Sequence, residues 1–232
     1  VRPRRPNGEW IENTNPYHAP GFCEGSAWQF TWYVPHDVKS LINLIGERQF
    51  IDRLNAGFAT SEKVSFNALG DNMGAYPINH GNETNMQAAY LFSYTSEPWH
   101  TQKWARAIQE KYYGMGPRDA YPGDEDQGQM SSWYILSSIG LFQMDGGCSK
   151  DPVWLLGSPR FDRVEILLDN TYYSGKKLII KAENVSKDNC YIQYVRFNNK
   201  RLSNNYIEWS KLKKGGTLHF IMGDRPNPNA FK

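Results

Sequence analysis

Gly146-Gly-Cys-Ser-Lys-Asp-Pro-Val-Trp-Leu-Leu-Gly-Ser-Pro159 divides the chain. Gly, Pro and Asp gather there as they do in hinges, and the hydrophobic period differs on the two sides. Before it the signals are helical. In residues 129–138, Met130, Trp133, Tyr134 and Ser137 fall on one helix face with Leu141 beyond, and Gly140 can end the helix. Residues 98–113 carry Trp104, Ile108 and Tyr112 at every fourth position, with Pro98 suited to a first turn and Ser96 to a cap. Residues 84–94 and 38–54 predict further helices, the latter capped by Asp37. After the hinge, residues 163–168, 177–182, 190–197 and 217–222 are rich in β-branched and aromatic side chains. Asp169-Asn170, Ser174-Gly175, Asn198-Asn199 and Gly215-Gly216 supply the turns between them. The expected class is α+β, with a helical part over 1–150 and an antiparallel β unit over 151–232.

The 232 residues are 40% hydrophobic, enough to bury a core and too many for a disordered chain. The aromatic share of 14% suits stacking on sugar rings and a large aromatic core equally. A net charge of +2 gives no footprint for nucleic acid. No run approaches the roughly 18 apolar residues of a membrane span. Cys23, Cys148 and Cys190 match no zinc spacing, allow at most one disulfide, and read as buried thiols. The start at Val1 reads as a point inside a longer protein.

Three polar runs could carry chemistry. Tyr121-Pro-Gly-Asp-Glu-Asp-Gln-Gly-Gln129 sets three acids between glycines just before a helix start. A solvated capping turn would look the same, but Gly123 and Gly128 would also let the backbone approach a ligand closely. In Gly21-Phe-Cys-Glu-Gly-Ser-Ala-Trp-Gln-Phe30, Glu24 is a single acid among aromatic neighbours. Burial there would raise its pKa toward what a general acid needs. In His80-Gly-Asn-Glu-Thr-Asn85, Asn82 and Glu83 offer the hard oxygens that calcium takes, or else simply cap the next helix. Two carboxylates flanking a glycosidic bond are the usual minimum for hydrolysing it.

The ordered series Glu24-Gly-Ser-Ala-Trp-Gln-Phe30, Val34-Pro-His-Asp37, Gly81-Asn-Glu83, Tyr94-Thr-Ser-Glu-Pro-Trp-His-Thr-Gln102, Gly123-Asp-Glu-Asp-Gln-Gly-Gln-Met-Ser-Ser-Trp-Tyr134 and Gly157-Ser-Pro-Arg-Phe-Asp162 resembles glycoside hydrolase family 92. The resemblance covers nearly the whole chain. It implies the C-terminal portion of an (α/α)6 catalytic barrel over 1–150, followed by the β region over 151–232. It also implies a calcium-dependent, inverting α-mannosidase acting on terminal mannose in mannose-rich glycans. By motif, Glu24 would be the general acid, and Asp124 and Asp126 would contain the general base, with Asp126 preferred. Trp28, Gln29, His36 and Asp37 would contact substrate, and Asn82 and Glu83 would hold Ca2+. The partners implied are the glycan, an N-terminal β-sandwich and the remaining barrel helices, none of these protein parts lying in the 232 residues. The resemblance also implies export to the periplasm, cell surface or medium. One departure stands out: many relatives carry Pro and a His-rich stretch after Gly-Asn-Glu, where this chain has Thr84-Asn-Met86. That bears on aglycone recognition and linkage preference. The alternative is a carbohydrate-binding or scaffold fragment that keeps the motifs without turnover.

Overall fold

The computed structural model describes residues 1–12, 15–17, 21–68, 74–123 and 125–232. Helices α1 to α6 precede the strands: Ala27–Phe30, Val38–Ile45, Glu47–Ser61, Glu83–Met86, Trp99–Lys111 and Gln129–Ser138. Strands β1 to β8 are Leu141–Phe142, Val153–Leu156, Arg163–Leu167, Lys177–Glu183, Tyr191–Phe197, Lys200–Arg201, Tyr206–Glu208 and Gly216–Gly223, with α7 at Trp209–Leu212 before the last. The mixed helix-and-sheet class expected from periodicity is present. By backbone proximity the chain forms two compact units, residues 1–89 with 107–131 and residues 90–106 with 132–232. The division passes through α5 and α6.

In the first unit the stretch expected as one helix over 38–54 is two. Gly46 stands between α2 and α3 with φ +86°, a conformation that costs glycine nothing and most other residues dearly. Asp37 caps α2 as expected, its Oδ1 accepting from Ser40 N at 3.1 Å. The core of this unit is aromatic and aliphatic, with Trp32, Phe50, Ile51, Leu54, Phe58, Phe66 and Ile78 fully or almost fully enclosed. Trp32 meets Phe50 edge-on at 5.5 Å.

In the second unit β1-β2-β7 form one sheet and β3-β4-β8-β5-β6 another. β4 turns Leu178, Ile180 and Ala182 inward and leaves Lys181 and Glu183 outside; β8 buries Leu218, Phe220 and Met222 by the same period of two. The larger sheet is not purely antiparallel. β4 and β8 run parallel, Ile180 facing Leu218, because the chain makes β5, β6 and β7 before β8 returns beside β4. β2 lies inside the stretch expected to be only a hinge, since Val153-Trp-Leu-Leu156 has strand character of its own. The buried guanidinium of Arg106 fastens that stretch, donating to Ser158 Oγ at 3.0 Å and to the carbonyls of Pro159 and Ser186. The cysteines correct an expectation. Cys23 and Cys148 are exposed and Cys190 half-buried, all three as free thiols, because each sits on a loop or strand end and not on an inward face.

Candidate active site

Glu24, Asn82, Glu83 and Asp126 come together in the first unit. Glu24 lies on the turn before α1, with φ +50°. Asp126 lies on the turn before α6, where Asp126 (φ +42°), Gln127 (φ +62°) and Gly128 (φ +89°) form a left-handed run. Left-handed backbone costs an ordinary residue roughly 1–2 kcal/mol. It persists where the surroundings over-determine it, and such places cluster at functional sites. Both acids proposed from the motifs are therefore held in backbone that their own side chains do not favour.

Asn82 ties the runs together. It is buried, and its Nδ2 donates to the backbone carbonyl of Glu24. Glu83, the first residue of α4, shares a hydrogen bond with the Asp126 carboxyl that holds the Glu83 carboxyl above the ordinary range. Its own backbone N–H works against this rise, while partial burial and the negative charges of Asp126 and Glu24 add to it. Glu125 faces α6 and accepts from the backbone N–H and hydroxyl of Ser131, an acid at a helix start satisfying an orphan donor.

Glu24 is exposed, against the expectation of burial among aromatics, and so is Asp126. The aromatic neighbours pack on one another instead. Phe22 meets Phe30 at 5.3 Å, and Trp28 stacks on Tyr17 at 5.6 Å with the Arg53 guanidinium 5.0 Å from its ring centre. Gln29 is enclosed, its amide donating to Tyr76 O at 2.8 Å. His36 and Asp37 line a cavity of about 430 Å³ with Val1, Ser40, Leu44 and Arg53, and none of the clustered acids borders it. Hydrogen bonds to Ser40 hold the Asp37 carboxyl below its usual range. Asp124 lies outside the described residues.

The residues fit a hard cation by the chemistry of their donors. Carboxyl groups this close repel unless a proton or a cation lies among them, and the charges of Asp126 and Glu24 accordingly add to the rise of the Glu83 carboxyl. Among the described residues no group of three His, Cys, Asp or Glu side chains is placed to hold a metal ion by itself. Oxygens from Asn82 and Glu83 would supply part of the six to eight that calcium takes, and sugar hydroxyls or water the rest.

Residues that the motif reading passed over brace this cluster. His80 is enclosed, and burial pushes its imidazole down to about 3, so the ring is neutral. Its Nε2 lies 2.8 Å from Tyr113 Oη. Gly123, expected to let backbone approach a ligand, instead approaches protein: a Cβ there would lie 2.7 Å from Gly81 Cα and would also strike Tyr112 Oη. The paired glycines of the Gly81 and Gly123 motifs were the available signal, but their contact spans too much chain to read from sequence.

Residues 1–224 match the model of the glycosyl hydrolase family 92 catalytic domain. A solved family GH92 α-mannosidase from Bacteroides thetaiotaomicron superposes with a TM-score of 0.84 at 34% identity, over 99% of this chain and 29% of that one. A family GH92 inverting mannosidase from Bacteroides thetaiotaomicron VPI-5482 gives 0.81 at 32%, over 97% and 31%. An uncharacterized secreted glycosidase of Arthroderma benhamiae is 29% identical over 203 residues, 86% of this chain and 23% of that protein. The chain thus spans less than a third of each of these relatives. The family match runs through both compact units and over every motif that forms the carboxylate cluster, and on that ground the chain belongs to glycosyl hydrolase family 92.

Proposed function

We propose that this chain carries the acid–base groups of an α-mannosidase that hydrolyses terminal, non-reducing α-mannosidic linkages of mannose-rich glycans with inversion, assisted by calcium. The observation that supports this most is the convergence of Glu24, Glu83 and Asp126, with Glu24 and Asp126 both on turns of left-handed backbone. Glu24 protonates the glycosidic oxygen as the bond to the leaving sugar breaks. Asp126, or Asp124 two positions earlier in the sequence, takes a proton from the water that attacks the anomeric carbon on the opposite face. Asn82 and Glu83 would hold the cation, which supplies positive charge and a template for the 2- and 3-hydroxyls of mannose. Asn82 also orients the turn that carries Glu24, through its hydrogen bond to that residue's carbonyl.

An N-terminal β-sandwich and further helices of an (α/α)6 barrel are the parts proposed to complete the site. The small share of each relative that the chain spans supports this. Export is supported by the secreted relative; among the described residues no helix is long and apolar enough to cross a membrane. A second reading, carbohydrate binding without turnover, is favoured by the exposure of Glu24 and Asp126.

The test is α-mannoside hydrolysis by the full gene product, with calcium and with chelator. Glu24→Gln and Asp126→Asn are each expected to lower kcat by about 10²–10⁴-fold, the usual contribution of a positioned acid or base. Turnover that survives both chelator and Glu24→Gln refutes the mechanism. Calcium-dependent mannose binding without turnover supports the second reading.

A further inference from the structure

The Gly81–Glu83 loop and the turn holding Asp126 come from separate stretches of chain, and two adjacent tyrosines at the end of α5 join them. Tyr113 Oη donates to the carbonyl of Met130, in the first turn of α6, at 3.1 Å. That commits the hydroxyl proton, so the 2.8 Å contact with His80 is donated by the imidazole Nε2–H. His80 immediately precedes Gly81, and its backbone N–H donates to Phe66 O at 2.8 Å. A continuous chain of hydrogen bonds therefore runs from the residue before the Glu83 loop to the helix that follows Asp126. Tyr112 closes the other side. The His80 ring meets it edge-on at 4.9 Å, and a Cβ built on Gly81 would lie 2.6 Å from its hydroxyl.

We propose that His80 and Tyr113 are positioning residues, whose hydrogen-bonded chain to Met130 sets where Glu83 stands against Asp126. The proposal rests on reading those acids as members of the reacting site. His80 is wholly enclosed and its bond to Tyr113 leads on to a helix backbone, so the network has little freedom to relax. Neither side chain is needed in the reaction itself. A displacement of about 1 Å among reacting groups is enough to cost roughly 100-fold in rate.

The test compares Tyr113→Phe, His80→Gln and His80→Leu with wild type in the full gene product. The measurements are kcat and KM for 4-nitrophenyl α-mannoside, the melting temperature, and a crystal structure of Tyr113→Phe. Tyr113→Phe keeps the ring and loses both hydrogen bonds. It is expected to lower kcat by about 10–100-fold with little change in KM, to keep Tm within about 4 °C, and to shift the Gly81–Glu83 backbone. His80→Gln, whose amide can still donate to Tyr113, is expected to retain more activity than His80→Leu. Wild-type kcat in Tyr113→Phe overturns the proposal. So does a loss that tracks Tm in all three variants with no advantage for Gln. If the wild type turns over no mannoside, the proposed function fails by itself. The crystal structure then decides the positioning role, an unmoved Gly81–Glu83 backbone overturning it and a displaced one supporting it.

Discussion

In the larger sheet, β4 and β8 face each other over consecutive residues from Leu178 opposite Gly216 to Glu183 opposite Ile221, and the ladder itself satisfies their backbone groups. In the carboxylate region the backbone is satisfied by side chains. Asn85 Oδ1 accepts from Asn79 N at 2.9 Å while its Nδ2 donates to Gln29 O at 3.0 Å. Gln87 reaches Trp32 O, Gln29 reaches Tyr76 O, and Asn82 reaches Glu24 O. These four amides are all buried. The contrast shows what each arrangement permits. A ladder accepts any side chain of suitable shape but enforces extended backbone. Side-chain bracing depends on particular amides, yet it holds a turn such as that of Glu24 in a conformation no ladder would allow.

The comparison breaks first in the sheet. Phe220 is fully enclosed, and Phe220→Ala is expected to cost about 3–5 kcal/mol in denaturant unfolding, by lost burial and the cavity left behind. A cost under about 1 kcal/mol would mean the sheet does not rely on inward packing. Asn85→Ala comes next. It strands the Asn79 backbone N–H and takes one of two donors from the Gln29 carbonyl, which keeps the Trp32 N–H, at about 1–3 kcal/mol. If the loss is as small as at an exposed position, the amides are not what holds the loops.

A pH titration sharpens the contrast, because the second unit contains a buried polar bond of its own. Tyr90 is enclosed, stacked on Phe142 at 4.1 Å, and donates to Ser137 Oγ at 2.9 Å. Burial pushes its phenol well above the ordinary 10, with the Ser137 bond opposing. In the unfolded chain Tyr90 loses its proton near pH 10; in the folded chain it keeps it. Stability from this group is thus complete below pH 10 and declines as pH rises beyond it, by up to about 1.4 kcal/mol per pH unit. Alkaline unfolding curves should lose that slope in Tyr90→Phe. The smallest effect belongs to the surface. Lys111 pairs with Glu62 at 2.9 Å, both side chains partly exposed, and Lys111→Ala should change stability by less than about 1 kcal/mol.

Much of the fold was legible because it is local. The four-residue spacing of Trp104, Ile108 and Tyr112 marks α5, and all three side chains are buried. The alternation in 177–182 and 217–222 marks β4 and β8. Strands follow helices in chain order, but β1 at Leu141–Phe142 precedes the expected hinge and β2 lies within it. What escaped reading turned on backbone angles and return paths. The split at Gly46 needs one positive φ, and the parallel β4–β8 pair needs β8 to return beside β4 after three intervening strands. The site was half legible. Its acids were named from motifs, but the motif reading buried Glu24 among rings that in fact pack on one another.

The sequence by itself determined the order of elements, the inward faces of α5, β4 and β8, and the family, because each rests on residue types at short, fixed spacings. Only the tertiary structure decided that Glu83 shares a hydrogen bond with Asp126, that Asn82 holds the Glu24 turn, and that Gly81 and Gly123 close against Tyr112. The physical reason is that these contacts join distant stretches of chain through left-handed turns and buried amides. Their geometry is set by the packing around them, and no local pattern encodes it.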